Sequence, residues 1–441
     1  MLEDRPNVIL IALDTLRADH LSCYGYKVKT SPFMDKIASE GAVFKYAYAP
    51  AIPTHPGYTT MLTGTHPLHH KIVCHAGSRF LSKDILLVSE LLKRKDYITA
   101  AADNLAIMKG GEWFIRGYDY YYATGGIVVI SKGIKISGEI VLKKTIEFLE
   151  LWSKEYKDKK FFLFIHFWDP HAPYYPPEDL VKKVFKGDPY QGDLKERLEK
   201  TVWGRRLLKG WMGKLIDKGI RNPDYIRALY DAEILYTDDK VRKIYEKLEE
   251  LGIIDDTLII ITADHGESMG EHNIFYDHHG LYEWDVRIPL ILRYPDKIPK
   301  ETVVEAFVQH TDIVPTILDI ANCPMRDNIY GKSLVKLIEG DWSGYDRVLL
   351  MENTRMTKRA IRTRKWKLIE TLRPDPYGRP AGYLELFDME KDPLEQNNLA
   401  YEDRETALKL LGELEECWRK LLRGTEDPLL TQEISLPIPE E

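Results

Sequence analysis

The sequence predicts an α/β fold, a doubly wound and mainly parallel sheet flanked by helices, with a smaller C-terminal α+β domain. Short runs rich in β-branched and aromatic residues recur at long intervals, and helical patterns separate them. Strands joined by helical crossovers give this pattern. The chain has 441 residues, which exceeds the length at which one hydrophobic core stops growing. We therefore predict a large domain over residues 1–340 and a smaller one over residues 341–441.

Five runs in the large domain have the length and composition of buried strands. In chain order they are NVILIAL, YITAAAD, FFLFIHF, TLIIITA and RIPLILRY. Between the third and the fourth, apolar residues keep helical spacing from about Pro223 to Leu251, and Gly252 supplies a stop signal. This long helix leads directly into the strand TLIIITA.

The character of the sequence changes near Gly340. The segments VLLMENT, KRAIRTRKWKLIETL and YLELFDME alternate as strands do, and an amphipathic helix is predicted from about Glu402 to Leu422. These elements make up the predicted C-terminal α+β subdomain.

Residues 178–221 form a predicted basic helical insertion, called the flap below. They carry 12 Lys or Arg against 7 Asp or Glu in a chain whose net charge is -7. They also include Trp203, Trp211 and Met212. Two interpretations stay open: a helical flap with a solvated basic face, or a lid that attracts an anionic or lipid-like substrate.

Composition narrows the class of protein. The mixed charges and the small net charge argue against a nucleic-acid partner. The longest apolar runs are shorter than the roughly 18 residues that span a bilayer, so no transmembrane segment is expected. The N-terminus enters a strand almost at once, which leaves no room for a leader. The four cysteines form no CxxC pair. We expect a cytoplasmic protein with reduced cysteines.

Polar side chains follow the predicted strands at their carboxyl ends, where open α/β sheets bind ligands. Asp14 follows the first strand, and Asp264 and His265 follow TLIIITA. Carboxylates together with an imidazole suit a divalent ion such as Mn, Mg, Ca or Zn. With the Thr54 oxygen as a fourth ligand, these residues form a candidate metal site.

Thr54 opens a predicted helix. It precedes Pro56, and proline favours the first helical turn. The hydroxyl is therefore expected at a helix N-terminus, where unpaired amides favour an anion. Two interpretations stay open: the hydroxyl caps the helix, or a divalent ion lowers its pKa and makes it a nucleophile.

Histidines are frequent in the predicted loops. His171 in DPHAPYYPP, and His278 and His279 in YDHHGLYE, place rings that titrate near neutral pH outside the strands. A second group resembles a metal cluster in composition, but no pair has helical ligand spacing, and we predict that most of it lies on the surface. This group comprises His66, His69, His70 and His75.

Seven stretches of the sequence follow one another in a recognisable order: NVILIALDTLRADHLSCYGY, TSPFMDKIASEGAVFKYAYAPAIPTHPGYTTMLTGTHP, FLFIHFWDPHAPYYPP, DDTLIIITADHGESMGEH, LYEWDVRIPLIL, TDIVPTILDIA and LFDMEKDPLEQNNLA. In these stretches, and over most of its length, the chain resembles the sulfatase family of the alkaline phosphatase superfamily. The resemblance implies a doubly wound α/β domain and a smaller C-terminal domain. It also implies a divalent ion bound by Asp14, Asp264 and His265, with the Thr54 oxygen.

One departure from the family concerns the reacting residue. Sulfatases of this family carry Cys or Ser in the motif C/S-x-P-x-R, and that residue is oxidised to formylglycine. The corresponding run here is THPGY, from Thr54 to Tyr58. Because threonine carries a methyl group on Cβ, its oxidation cannot give an aldehyde, and no formylglycine is expected. Phosphodiesterases and phosphoglycerol transferases of the superfamily carry threonine at this place, which implies that Thr54 is the nucleophile of a phosphoester enzyme.

Other family positions suggest substrate contacts. The family's loop histidine corresponds to His171, and a family lysine falls on His278, which implies that these two are the leaving-group acid and the anion ligand, in either order. Thr15 replaces the second aspartate of a family pair, and a family segment with a lysine and a histidine is replaced by ADNLA around Asp103 and Asn104. Further substrate contacts are predicted for His75, Asn104 and His279.

The leading functional prediction is a metal-dependent hydrolase of phosphoesters, with phosphodiesters favoured, acting through a covalent Thr54 intermediate. One divalent ion is expected, because a second set of Asp and His ligands is not recognisable. The alternatives are a sulfatase using Thr54 without formylglycine, a phosphoglycerol-type transferase and a non-catalytic anion-binding relic. The expected substrate is a small or medium-sized anionic ester, such as a phospholipid head group or a phosphorylated polyol, and the chain is compatible with a homo-oligomer.

Overall fold

The computed structural model describes residues 5–124 and 137–436. The strands within these residues are β1 (Asn7–Leu13), β2 (Ala42–Tyr48), β3 (Ala51–Ile52), β4 (Ile98–Asp103), β5 (Tyr120–Ala123), β6 (Phe161–Phe167), β7 (Thr257–Thr262), β8 (Ser268–Met269), β9 (Phe275–Asp277), β10 (Arg287–Ile288), β11 (Leu290–Arg293), β12 (Thr302–Gln309), β13 (Arg347–Glu352), β14 (Lys358–Thr363), β15 (Trp366–Thr371) and β16 (Leu384–Asp388).

Helices connect and cover these strands. They are α1 (Pro32–Ser39), α2 (Thr54–Thr63), α3 (Pro67–His70), α4 (Val88–Lys93), α5 (Gly138–Glu155), α6 (Glu178–Val184), α7 (Leu194–Glu199), α8 (Val202–Leu208), α9 (Trp211–Asp217), α10 (Pro223–Glu250), α11 (Glu283–Val286), α12 (Ile313–Ile320), α13 (Leu334–Ile338), α14 (Arg404–Leu422) and α15 (Pro428–Thr431). The long helix predicted from about Pro223 is α10, and the C-terminal amphipathic helix is α14.

The main sheet has nine strands in the order β10-β2-β11-β7-β1-β6-β4-β5, with β12 paired to β2. Strand β1 pairs in parallel with both β6 and β7, and every residue of β1 is buried. A parallel sheet is covered by helices on its faces, which explains the continuous apolar run NVILIAL. The mainly parallel α/β prediction is confirmed.

The run RIPLILRY differs from a single parallel strand. It divides at Pro289 into β10 and β11, which pair antiparallel with β2 and β7. Proline has no N–H to donate to a neighbouring strand, so an interruption at this position is expected.

A second sheet of five strands has the order β16-β15-β14-β13-β3, and α14 packs on it. Its strand β3 comes from the N-terminal part of the chain and pairs in parallel with β13, where Ala51 lies opposite Met351. The C-terminal sheet therefore holds the segment that leads into Thr54. The boundary between residues 340 and 341 stays a prediction.

The flap is helical, as predicted, and consists of α6 to α9. Within the described ranges, no helix combines the length and the apolar composition that a membrane span requires. The cytoplasmic location and the homo-oligomer stay predictions.

Candidate active site

The carboxyl ends of β7, β1, β6 and β4 meet at one edge of the main sheet because these strands are neighbours in that order. This strand order brings together Asp14 after β1 and Asp264 and His265 after β7. One potential ligand atom from each of the three lies within 4.8 Å of the others, and all three residues are buried. The three candidate metal ligands predicted from strand ends thus converge in the structure.

Unpaired oxygens show that this group fits a cation. Asp14 Oδ1 and Asp264 Oδ2 are buried and have no hydrogen-bond partner in the described part of the chain. Asp264 Oδ2 lies 3.1 Å from His265 Nε2. A buried carboxylate oxygen that makes no hydrogen bond is costly, and a divalent ion between these two oxygens would offset that cost.

The His265 ring is oriented for metal binding through its backbone contact. Its Nδ1 lies 2.8 Å from the carbonyl oxygen of Gly266, so an Nδ1–H donated there leaves the Nε2 lone pair free. Burial lowers the pKa of His265, but Asp264 and Asp14 outweigh burial and raise it to about 10. The same two carboxylates that attract a proton would attract a metal ion in its place.

Thr54 does not cap its helix. Helix α2 begins at Thr54, and its N-cap residue is Pro53, which makes no side-chain cap. The Thr54 hydroxyl is buried, and its Oγ1 lies 3.5 Å from His265 Nε2. The capping interpretation is therefore wrong, and the hydroxyl lies beside the candidate metal ligands.

Gly57 and Gly266 allow the close packing around this hydroxyl. A Cβ on Gly57 would lie 2.8 Å from the Asp264 carbonyl oxygen, so α2 could not approach β7 as closely. A Cβ on Gly266 would lie 1.8 Å from the carbonyl oxygen of Trp284. Gly266 is therefore required for close approach to the neighbouring chain.

The turn after β1 is strained at Thr15. Its φ of 57° lies in the left-handed region, which costs a β-branched residue about 1–2 kcal/mol. Its N–H donates to Asp264 Oδ1 at 3.2 Å, and the Tyr230 hydroxyl donates to its carbonyl oxygen at 2.8 Å. Helix α10 thus helps to hold the backbone that joins the two candidate carboxylate ligands.

His166 in β6 connects two buried carboxylates. Its Nε2 lies 3.3 Å from Asp14 Oδ2, and its Nδ1 lies 2.7 Å from Asp103 Oδ1. Burial lowers the pKa of His166, but the two aspartates outweigh burial and raise it to about 9. This contact occupies one oxygen of Asp14 and leaves the other for a cation. In many metal sites, a residue that hydrogen-bonds to a metal ligand in this way holds the ligand in its orientation.

Replacing His166 by asparagine is expected to lower the affinity for a divalent ion by about 10- to 100-fold. The shorter side chain cannot reach both aspartates, so Asp14 loses its orienting partner. Isothermal titration of the metal-free protein with Mn²⁺ measures the effect without relying on activity. His66→Asn is the matched control, because His66 is also buried and instead contacts the backbone of Leu68. Equal metal affinity in the His166 variant and the control would contradict the assignment.

Tyr58 stands one helical turn after Thr54, where the sulfatase motif has arginine. Its ring lies 4.6 Å from the His166 ring, and its buried hydroxyl has no hydrogen-bond partner among the described residues. Burial raises the pKa of Tyr58 well above its usual value, and Asp264, Asp14 and Asp103 add to the shift. The position therefore carries a neutral side chain next to the carboxylates.

His171 and His278 lie together beside the candidate metal ligands. Their ring centroids are 5.3 Å apart, and the His278 ring lies 4.2 Å from the His265 ring. His278 Nδ1 lies 3.4 Å from the buried Glu267, and its Nε2 lies 3.6 Å from Asp277. The geometry accordingly places both predicted substrate histidines at the site.

The three weaker substrate candidates have different positions. The His75 ring lies 4.2 Å from the ring of His55. Burial lowers the pKa of His75, and the charges of His55, His278, Arg355 and His171 lower it further. Asn104 follows β4, and its buried Nδ2 is unpaired among residues 5–124 and 137–436.

His279 is the exception. Its fully buried ring contacts Tyr377 of the C-terminal subdomain through Nε2 at 2.9 Å. Its Nδ1 lies 3.5 Å from Asp277. Between the two neighbouring histidines, the structure brings His278 to the site and turns His279 into the protein.

The prediction that most of the second histidine group lies on the surface is wrong. His66 and His70 are buried, and His70 Nε2 lies 3.0 Å from the Thr60 hydroxyl. His69 and His75 are half-buried. Backbone and hydroxyl partners bind the rings of His66, His69 and His70, so the burial of these rings requires neither a charged partner nor a metal ion.

Sequence reasoning missed several residues at the site, above all His166, Glu267 and Arg355. His166 had a local signal, since it is the one polar residue in the apolar run FFLFIHF. Glu267 is buried beneath the site histidines, where burial raises its pKa to about 8. Arg355 comes from the C-terminal subdomain and had no signal linking it to the strand ends.

The flap packs against the site loops. The Trp211 ring lies 5.4 Å from Tyr174 and 6.0 Å from Tyr276. Trp203 donates its indole N–H to the carbonyl oxygen of Phe275 at 2.9 Å. The aromatic residues of the flap thus face the segment that carries His278.

Comparisons with known proteins show which proteins this chain is similar to. A family model described as Sulfatase matches residues 6–323, and one described as N-sulphoglucosamine sulphohydrolase, C-terminal, matches residues 270–421. An N-acetylglucosamine-6-O-sulfatase of Bacteroides thetaiotaomicron is 27% identical, over 90% of this chain and 82% of that protein. An arylsulfatase of Clostridium perfringens is 25% identical, over 93% of this chain and 95% of that protein.

Solved structures share the fold. A structure in complex with its substrate D-glucosamine-2-N,6-O-disulfate has a TM-score of 0.78 and 23% identity, covering 96% of this chain and 99% of that one. A phosphonate monoester hydrolase of Agrobacterium radiobacter has a TM-score of 0.72 and 22% identity, covering 95% of each chain. Both likenesses support the architecture of the main and C-terminal sheets.

Proposed function

The chain belongs to the sulfatase family of ester hydrolases, and on that premise we propose that it hydrolyses phosphoesters, phosphodiesters above all, through a covalent intermediate on Thr54. The observation that carries the proposal is the position of the Thr54 hydroxyl. It is buried at the start of α2, 3.5 Å from His265 Nε2, beside the group formed by Asp14, Asp264 and His265. An alcohol held at a candidate metal site is the arrangement of an activated nucleophile.

The choice of phosphorus over sulfur follows from the chemistry of threonine. A formylglycine hydrate can expel sulfate from its adduct by regenerating an aldehyde. Threonine cannot do this, so water must cleave its ester by attacking the central atom. Phosphorus accepts such a second attack more readily than sulfur does, and Thr54 therefore favours a phosphoester substrate.

The proposed reaction has two displacements. In the first, Thr54 Oγ1 releases its proton to solvent and attacks phosphorus, the bond from phosphorus to the leaving oxygen breaks, and His171 or His278 donates a proton to that oxygen. In the second, water gives a proton to the same imidazole and attacks phosphorus, the bond to Thr54 breaks, and Oγ1 takes a proton back from solvent. A divalent ion held by Asp14, Asp264, His265 and the Thr54 oxygen would lower the pKa of the hydroxyl and stabilise charge on the transferred group.

The charge of the site favours a diester over a monoester. The positions where sulfatases carry Lys or Arg hold the side chains of Tyr58, Asn104 and His278. A single divalent ion with no Lys or Arg at these three positions matches the one negative charge of a diester better than the two of a monoester.

Hydrolysis of sulfate esters is the second candidate, and it is favoured by the relatives. Both curated relatives described above are named as sulfatases. Transfer to an alcohol in place of water, as in the phosphoglycerol-type alternative, would share the first displacement and differ in the acceptor. Product analysis in the presence of glycerol separates transfer from hydrolysis.

The deciding measurement compares three esters of 4-nitrophenol at saturating Mn²⁺. We expect kcat/KM to be highest for the methyl phosphodiester, lower for the phosphate monoester and lowest for the sulfate ester. The expected difference at each step is about tenfold or more, which corresponds to about 1.4 kcal/mol in the free energy of activation. The common leaving group removes differences in its pKa. The Thr54→Val protein, purified in parallel, controls for contaminating phosphatases. A sulfate ester turned over fastest would replace the phosphoester proposal by the second candidate.

A further inference from the structure

Three distant segments meet beside His278. Arg355, in the loop between β13 and β14, places its Nε 3.2 Å from Asp277 Oδ2. Its guanidinium lies over the ring of Trp203 in the flap, 4.7 Å from the ring centroid. The same Trp203 is tied by its indole N–H to Phe275 in β9. The C-terminal subdomain, the flap and the site loop therefore share one contact.

This contact lies next to the reacting residues. Asp277 directly precedes His278, whose Nε2 is 3.6 Å from Asp277 Oδ1. On the other side, the His75 N–H donates to Thr354 Oγ1 at 2.8 Å, one residue before Arg355. Arg355 and His278 thus share Asp277 as a partner, and Arg355 directly follows Thr354, the partner of His75.

One edge of the Arg355 guanidinium makes no hydrogen bond within the described part of the chain. Nε pairs with Asp277, and Nη1 donates to the carbonyl oxygen of Leu436 at 3.1 Å. Nη2 makes no hydrogen bond to any residue in 5–124 or 137–436, and 18% of the side chain is exposed. A second guanidinium, that of the exposed Arg206, lies 5.6 Å from the Trp203 centroid.

These groups suit a second acidic group on the substrate. A guanidinium is charged at every physiological pH and donates in a planar fork that matches carboxylate, phosphate or sulfate oxygens. The stacked Trp203 and the ion pair with Asp277 hold the fork in place, so little side-chain entropy is lost when a ligand binds. Arg206 adds positive charge near the same tryptophan ring.

We propose that Arg355 is a specificity-determining residue that binds an oxyanion carried by the leaving group of the ester. The substrate class is then an ester of an acidic alcohol, such as a phosphorylated, sulfated or carboxylated polyol or sugar. This inference rests on the proposed function, because the leaving group is defined by attack at Thr54. It also accounts for the basic flap, whose Trp203 and Arg206 would border the same subsite.

The test uses two esters that differ in one charge. Their leaving groups are 3-carboxy-4-nitrophenol and its neutral isostere 3-carbamoyl-4-nitrophenol, each joined to whichever acid the intact enzyme turns over. The parent protein is expected to prefer the carboxylate ester by about tenfold in kcat/KM, the size typical of a hydrogen bond between charged groups. Arg355→Met is expected to remove this preference, and Arg355→Lys to retain part of it, since lysine keeps the charge and loses the fork.

Arg359→Met is the matched control. Arg359 also lies over a tryptophan, Trp418, and pairs with a carboxylate, Glu370, but in the C-terminal sheet. This variant should keep the preference of the parent. If Arg355→Met fails to fold, as judged by circular dichroism, the lysine variant carries the test.

The outcomes separate this inference from the proposed function. Turnover of both esters with equal kcat/KM in the parent, or a preference unchanged in both Arg355 variants, would overturn the subsite while leaving Thr54 chemistry intact. If the enzyme turns over none of the phosphoesters, the proposed function fails. Binding of the two free phenols, followed by tryptophan fluorescence of the metal-loaded protein, then decides the subsite: tighter binding of the carboxylate that depends on Arg355 supports it, and equal binding overturns it.

Discussion

Replacing Thr54 by valine is expected to lower kcat by about 10³-fold or more, the scale seen when a nucleophile is removed. Valine keeps the volume and the β-branch of threonine, so α2 and its packing on Asp264 should be preserved. The change removes one oxygen, which lies 3.5 Å from His265 Nε2. Steady-state kinetics with the best of the three nitrophenyl esters, at saturating Mn²⁺, measures the loss.

Thr54→Ser is the matched partner of this variant. Serine restores the hydroxyl without the methyl group, so turnover should return to a measurable level. The metal content of the three proteins separates the two roles of the Thr54 oxygen, metal ligand and nucleophile. If the valine variant still binds the metal ion but has no turnover, the loss is due to the missing nucleophile. Turnover by the valine variant at the rate of the parent would rule out covalent catalysis at this residue.

Replacing Asp264 by alanine is expected to abolish stoichiometric metal binding and, with it, activity. Asp264 is one of two buried carboxylates in the group, and its side chain also accepts the N–H of Thr15. Loss of a residue that only orients a metal ligand typically lowers the metal affinity by about 10- to 100-fold. Loss of the ligand itself should lower it further. Mass spectrometry of metals in the dialysed protein measures the content directly.

Thermal unfolding gives a second readout of the same change. A ligand at 100 times its Kd stabilises the native state by about 2.7 kcal/mol, so added Mn²⁺ should raise the Tm of the parent and leave that of Asp264→Ala unchanged. Asp238→Asn is the control: this carboxylate is also buried, but it accepts the N–H groups of Phe33 and Met34 at the start of α1. Asp264→Ala protein that keeps full metal content and activity would show that the ion, or the site, lies elsewhere.

Much of the fold was predictable because its signals are local. A buried parallel strand such as β1 must be apolar throughout, and α10 must repeat apolar residues at helical spacing and end near Gly252. The division of RIPLILRY at Pro289 also had a local cause, although its antiparallel pairing did not. Strand direction depends on how the chain returns to the sheet, which short-range spacing does not record.

The chemistry of the site was predictable in kind, since Asp14, Thr54, Asp264 and His265 each stand at the end of a strand or the start of a helix. Their convergence depends on the order β7-β1-β6, and the packing of the whole sheet decides that order. The sequence also could not show whether Thr54 caps α2. A helix-capping threonine and a metal-binding threonine both stand at the start of a helix, so their local sequence is the same.

The sequence by itself therefore determined the α/β class, the family pattern and an alcohol in place of an oxidisable residue. Only the tertiary structure decided which side chains surround that alcohol. It joined His166 to Asp14 across 152 positions of the chain, brought Arg355 to Asp277, and turned His279 toward Tyr377. The physical reason is that contacts between distant residues arise from strand order, register and the docking of the C-terminal sheet, and each of these is set by burial summed over many residues.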